Sequence, residues 1–203
     1  MIEPDSRTSI LDAAERLFAQ RGYAATTIKQ IGAEAGVNAA LMYYYFADKE
    51  TLYRETLRRL FADLAGGASK RIATIDDPVP AIRAFVRFQV EFLLARPHLP
   101  RLLIRELVDH EAAHAWDYIP QLTAATFARL RELIRAGQRA GRFRADVDPA
   151  FAAIHTVGLV PYAFIARPAV ARMLEYESTA IPEDVMRKFG EHAAEFVLGA
   201  LAA

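Results

Sequence analysis

TTIKQIGAEAGVNAALMYYYFADK, residues 26–49, is the stretch that decides the fold of this chain. Thr26 or Thr27 can cap a helix, its hydroxyl accepting an otherwise unpaired backbone N–H. Ile28, Ile31 and Ala35 then recur at 0, +3 and +7, one face of that helix. The small Gly32 and Ala33 let a second helix cross closely. Gly36 stands where the first helix must stop and reverse, in the left-handed conformation that glycine adopts with least strain. Val37 is expected to be buried beneath the turn, and Asn38 to cap the second helix. In that helix Met42 and Tyr45 are expected inward, leaving Ala39, Ala40, Leu41, Tyr43 and Tyr44 outward. Two short helices set at a steep angle by a glycine turn are what a helix-turn-helix needs to lay its second helix in a DNA major groove. A plain helical hairpin is the alternative, and three successive tyrosines beside a tight turn fit it poorly.

Upstream, Ile10, Ala14, Leu17 and Phe18 precede Gly22 and Tyr23; downstream, Tyr43-Tyr44-Tyr45-Phe46 is followed by Lys49. With Thr27-Ile28 and Gly36-Val37, these residues make the sequence resemble the TetR family of transcriptional regulators over about residues 6–60. The resemblance implies that Asn38 through Tyr44 form the recognition helix. It implies that Thr27, Tyr44 and Lys49 hold phosphates, with Ala40, Leu41 and Tyr43 near base edges. Lys29, Asn38 and Ala39 complete the expected DNA-binding set. Two positions depart from the family pattern: Gly32, where alanine is commoner, and Asn38, where serine is. The glycine weakens helix propensity by about 1 kcal/mol.

The 203 residues are 53% hydrophobic, with ten glycines and ten prolines, the composition of an ordered globular protein. Cysteine is absent, which excludes disulfides and thiol redox sensing. Residues 1–5 lack the basic and apolar regions of a secretory signal, so the cytoplasm is the expected location. The 25 Lys and Arg balance the 25 Asp and Glu. The first sixty residues cancel too: Arg7, Arg16, Arg21, Lys29, Lys49, Arg54, Arg58 and Arg59 face as many acids. Non-specific DNA affinity comes mainly from counterion release, so random DNA should bind weakly. Neutral donors and helix N-termini must then carry much of the positioning.

The remainder reads as helix throughout, giving an all-α chain of about nine helices. Residues 1–50 are expected to form the DNA-binding domain and 51–203 a helical effector-binding and dimerisation domain, joined by a helix beginning at Asp48. The first helix is expected over about 6–21, capped by Asp5 or Ser6. Tyr53, Leu57, Leu60 and Leu64 give the joining helix an apolar stripe, which Gly66-Gly67 is expected to interrupt. Further helices are expected over about 80–95, 100–115, 119–140, 149–167 and 182–202. The 149–167 segment is mostly apolar, but His155, Thr156 and Pro161 argue against a membrane span. A helix apolar on most sides is buried on most sides. In so small a chain a second copy is the expected cover, and the resemblance implies a homodimer through 149–167 and 182–202.

Phe88, Gln89 and Phe92 share one helical face, and Trp116, Phe127 and Tyr162, with Arg105 and Glu106 as polar fixtures, are the expected lining of an effector pocket. Such aromatic stripes also make ordinary core. His110-Glu111-Ala112-Ala113-His114 matches the zincin pattern, in which two histidines bind zinc and the glutamate activates water. That supplies the alternative of a zinc metallopeptidase. No strand is evident to hold a peptide, and the five residues fall near a predicted helix end among acids. The expectation is therefore no catalytic residue, metal or cofactor, and a regulator, most simply a repressor, whose partners are double-stranded operator DNA and an unidentified small-molecule effector. A helical lipid or cofactor carrier is the remaining alternative.

Overall fold

The computed structural model describes residues 5–203, the side chains of residues 5, 121–123 and 125 apart. The described residues are helical, with an isolated bridge between Phe143 and Ala202 as the one β feature among them. The chain divides into two compact units: the part up to Ala62 with His98–Pro120, and Asp63–Pro97 with Gln121–Ala203. This differs from a division at residue 50, because a helix far along the chain returns to the N-terminal unit.

The first unit holds α1 (Asp5–Ala25), α2 (Ile28–Ala35), α3 (Ala39–Tyr45), the start of α4 (Lys49–Ile72) and α6 (Leu99–His110). α1 already includes Asp5 and Ser6, so neither stands at its N-cap, which lies outside the described residues. α1 kinks at Gly22, where φ is 83° and ψ 168°, close to the expected stop. Ile10, Phe18, Ile31, Met42, Phe46, Leu52, Tyr53 and Leu57 are fully or almost fully buried and form the core of this unit. All but Phe46, the C-cap of α3, come from four helices whose apolar residues recur at three- and four-residue spacing, as amphipathic helices require.

The second unit holds the rest of α4, α5 (Pro78–Ala95), α7 (Ile119–Leu122), a π turn (Thr123–Phe127), α8 (Ala128–Arg139), α9 (Pro149–Ile165), α10 (Arg167–Met173) and α11 (Glu183–Leu201). Asp77 and Asp148 cap α5 and α9, each accepting a backbone N–H two residues on, with proline at the first helical position. α11 packs against both α5 and α9, and Gly190 of α11 lets Val90 of α5 approach it closely.

Several expectations change here. Gly66-Gly67 does not interrupt α4, which continues to Ile72. Gly67 instead makes room for a neighbour: a Cβ there would lie 2.5 Å from Phe88 Cε2 and Cζ. The expected 119–140 helix is divided by the π turn, and the expected 149–167 helix ends at Ile165, bending by 84° into α10. The 100–115 helix stops at His110. No single helix among the described residues is long and apolar enough to cross a membrane; the bent α9–α10 pair passes that test only as a broken span.

Candidate functional site

The reading head is built from the chain's own capping chemistry. Thr27 is the N-cap of α2: its hydroxyl oxygen accepts from Gln30 N at 3.2 Å, and Gln30 Oε1 accepts from Thr27 N at 3.0 Å, a complete capping box. Thr26 is buried and donates its hydroxyl to Gly22 O at 2.7 Å, tying α2 to the kink of α1. Gly36 ends α2 at φ 69°, and the Val37 N–H returns to Gly32 O at 2.9 Å. Asn38 Oδ1 then accepts from Leu41 N at 2.9 Å and starts α3. Asp48 Oδ1 accepts from Thr51 N at 2.7 Å at the start of α4. That hydrogen bond, from the backbone first and the side chain second, holds the Asp48 carboxyl below its ordinary range.

α3 buries Met42 and leaves Tyr45 and Leu41 half-buried, while Ala39, Ala40, Tyr43 and Tyr44 are exposed. Val37, expected buried, is half-buried. Capping occupies the oxygens of Thr27 and Asn38 but leaves the threonine O–H and the Asn38 amide N–H groups as neutral donors beside two helix N-termini. Lys29 is exposed and makes no ion pair among the described residues, whereas Arg16 and Arg54 face Glu34 and Glu50 at 3.3 and 3.0 Å. Lys49 is differently placed. Its Nζ donates to Tyr23 O at 3.0 Å and lies 4.3 Å from the centroid of the Tyr23 ring.

Behind Tyr23 lies the histidine cluster. His110 closes α6, and Glu111 and Ala112 follow with φ of 50° and 64°, so the two histidines do not share a helix. Glu111 is exposed. The zincin geometry, which needs both histidines and the glutamate on one helix, is broken. The glutamate that meets His114 is Glu106, buried. Its Oε1 accepts from the backbone N–H of His114 at 2.7 Å and of Ala115 at 3.2 Å. Its Oε2 accepts from Tyr53 OH at 3.0 Å and faces His114 Nδ1 at 3.2 Å. Glu106, His110 and His114 hold their ligand atoms within 4.8 Å of one another, a set that zinc can use. Yet four contacts already take the carboxylate's acceptor sites, and they cap the irregular chain after α6. Burial, then the charge and hydrogen bond of Glu106, push the Tyr53 hydroxyl far above its ordinary value, so it stays a donor.

The expected effector residues are divided between the two compact units. Arg105, Glu106 and Trp116 belong to the first unit, where Glu106 is the cap just described and Trp116 is exposed. Phe88, Gln89, Phe92, Phe127 and Tyr162 belong to the second. Of these, Gln89 and Phe127 line a cavity of about 280 Å³, together with Leu64, Ala68, Phe85, Thr126, Ile154, Val157 and Gly158. Phe88 packs under Gly67 and against Phe92 instead, at 5.4 Å between ring centroids. Tyr162, 59% exposed, lines a separate groove of about 720 Å³ on α9 and α11 with Phe151, Ile154, Leu159, Phe196 and Ala200. Sequence reading missed Thr126, which nothing local distinguishes. It also missed the reason for Gln89. Pro161 has no N–H to give Val157 O four residues back, and Gln89 Nε2 supplies that donor at 2.9 Å.

A capped helix-turn-helix with an exposed second helix, carried on an all-helical body, defines a DNA-binding transcriptional regulator. The model for bacterial regulatory proteins of the tetR family matches residues 10–56, and that for the tetracyclin repressor-like C-terminal domain matches 78–197. The chain belongs to the TetR family, whose members are regulators and not enzymes; the metallopeptidase alternative falls with its geometry. It is 31% identical over 144 residues to the transcriptional repressor NicS of Pseudomonas putida, spanning 70% of this chain and 68% of that protein. It is 32% identical over 143 residues to the repressor KstR2 of Rhodococcus jostii, spanning 70% of each. Its fold matches the ketosteroid regulator KstR2 of Mycobacterium tuberculosis with a TM-score of 0.77 at 19% identity, over 100% of this chain and 97% of that one.

Proposed function

We propose that this chain is a repressor that binds a palindromic operator as a homodimer in the cytoplasm and is released by a small-molecule effector. The observation that carries the reading is α3 itself: a seven-residue helix, anchored by Met42 and two caps, with Tyr43 and Tyr44 exposed at 60% and 69%. Tyr43 and the methyl groups of Ala39 and Ala40 would meet thymine methyls and groove shape, since few hydrogen-bonding side chains are presented. Thr27, Asn38, Tyr44 and Lys29 would contact phosphates. Lys49, tied to Tyr23, would position the head more than it neutralises phosphate.

The second copy would pack on the α9–α11 groove, where Phe151 and Phe196 are 64% and 71% exposed, and the effector would enter the 280 Å³ cavity. Leu64 and Ala68 on its wall belong to α4, the helix that begins just after α3, so an occupant bears directly on the element that carries the head. Ile154 and Gly158 line both cavity and groove, so the same occupant also bears on the proposed dimer face. Selection of bound sequences from a random DNA pool tests the reading. Two inverted half-sites about one helical turn (roughly 34–36 Å) apart, or a multiple of it, are expected; a single asymmetric site, or no enrichment, defeats it.

A further inference from the structure

The 280 Å³ cavity carries two polar side chains whose hydrogen-bonding capacity the fold leaves unused. Gln89 and Thr126 are 5% and 3% exposed, and neither Gln89 Oε1 nor Thr126 Oγ1 has a partner among the described residues. Gln89 cannot turn its amide round to change this. Its Nε2 is committed to Val157 O, the carbonyl that Pro161 orphans, and reversing the amide would set oxygen against oxygen. A residue that lines the cavity thereby keeps a fixed, buried and unpaired acceptor. Thr126 adds a hydroxyl, free to donate or accept, from the π turn, a helical irregularity frequent at functional sites. The other lining residues are Leu64, Ala68, Phe85, Phe127, Ile154, Val157 and Gly158, none of them charged.

From this we infer that the effector is a neutral, compact, largely apolar molecule carrying a hydroxyl or N–H that donates to Gln89 Oε1 and exchanges a hydrogen bond with Thr126. The inference rests on the proposed effector role of this cavity and adds the chemical class. A carboxylate or phosphate would enter a wall with no counter-ion and lose its hydration uncompensated. A pure hydrocarbon would fill the space but leave the glutamine acceptor unpaired. A hydroxyl answers both side chains at once. A carbonyl answers only Thr126. The volume, at the low end for ligand pockets, suits two or three fused rings better than a long chain.

Three probes of one shape separate these cases: 2-naphthol, naphthalene and 2-naphthoate, titrated calorimetrically into the full-length protein. The expected order is 2-naphthol tightest, naphthalene weaker by at least about tenfold, and 2-naphthoate weaker still, because a site built to pair a hydroxyl rejects the analogue that lacks one. Thr126→Val, near in shape, should narrow the gap between the first two severalfold without changing the helical circular dichroism. Ala68→Leu should weaken all probes by filling the cavity. Equal binding of naphthol and naphthalene, abolished by Ala68→Leu, overturns the hydroxyl inference while leaving the cavity as the effector site. Tightest binding of 2-naphthoate overturns the neutral class. No binding of any probe to the wild-type chain removes the effector cavity itself, and the inference with it.

Discussion

The aromatic rings that α3 presents to solvent and those that α9 and α11 present differ in the company they keep. On α3, Tyr43 and Tyr44 stand among the free donors of Thr27 and Asn38, the start of two helices, and the exposed Lys29. On α9 and α11, Phe151, Ile154, Tyr162 and Phe196 line a nearly continuous apolar groove, and its one carboxylate, Asp148, is occupied capping α9. The first setting offers what a polyanion needs: partial positive charge and donors round an adaptable centre. The second is apolar apart from Asp148, His155 and the Tyr162 hydroxyl, and suits another apolar surface far better than a polyanion. Ring exposure alone does not name a partner. The groups that frame the rings do.

The sharpest way to break that comparison is to charge the apolar groove. Phe196→Glu is expected to leave the monomer folded, because Phe196 is 71% exposed, and to raise the dimer dissociation constant at least about 100-fold through an unpaired carboxylate buried at a helix-packed interface. Sedimentation velocity reads it. Operator affinity should fall with the dimer, since two heads are needed for two half-sites. A variant that stays dimeric would move the interface elsewhere.

On the other face the effects are smaller and separable. Tyr43→Ala should relax base preference by about 1–3 kcal/mol at the positions it reads, measured by competition between operator and single-base variants. Lys29→Ala should weaken all sequences alike and reduce the slope of log K against log salt by about 0.9. Lys49→Ala distinguishes phosphate contact from positioning. Its ammonium is held at Tyr23 by one hydrogen bond and the ring face, so operator affinity should drop with the salt slope changed less than in Lys29→Ala; a slope reduced as far as in Lys29→Ala would return Lys49 to the phosphate-binding set.

The same contrast governs what could be read from sequence. The head was legible because its determinants lie within four residues of one another: Thr27 with Gln30, Gly36 with Ala33, Asn38 with Leu41, Asp48 with Thr51. The second unit depends on meetings at long range. Gly66 and Gly67 look alike in sequence, and only the arrival of Phe88 makes one a packing site. Tyr162 has the residue type of a pocket wall yet faces the open groove. The histidine pair invited a partner from its own pattern, Glu111, and received Glu106 because the helix between them ends. Thr126 carries no local mark at all. Gln89 did, in retrospect: a proline in a buried helix orphans a carbonyl four residues back, and some donor must answer it.

The adjacent glycines sharpen the point by stability. Gly67→Ala places a methyl carbon 2.5 Å from the Phe88 ring, forcing a shift whose cost of about 1–3 kcal/mol should outweigh the helix propensity of up to about 1 kcal/mol that alanine adds. Gly66→Ala meets nothing within 4 Å and should gain up to about 1 kcal/mol of helix propensity. Denaturant unfolding of the two variants should therefore move in opposite directions. Equal destabilisation would mean that α4 uses both glycines for flexibility, as the uninterrupted helix does not suggest.

The smallest expected effect concerns the cap that joins α3 to α4. The Asp48 carboxylate is stabilised in the folded chain by the Thr51 backbone N–H, by the Thr51 side chain and by its place at a helix N-terminus. Its folded pKa is thus depressed below the unfolded value of about 3.9. A depressed carboxylate contributes stability that is fully present above the unfolded pKa and is lost as the pH falls through the folded one. Asp48→Asn keeps an oxygen to accept the Thr51 N–H but removes the charge. Wild type should therefore melt at a higher temperature than Asp48→Asn at pH 7, and the difference should close as the pH falls from the unfolded pKa of about 3.9 down through the lower, folded one. Because the group is exposed, raising the salt concentration should shrink the neutral-pH difference as well. A gap that persists unchanged in acid would mean that shape, not charge, makes Asp48 the better cap, and the start of α4 would then owe nothing to its ionisation.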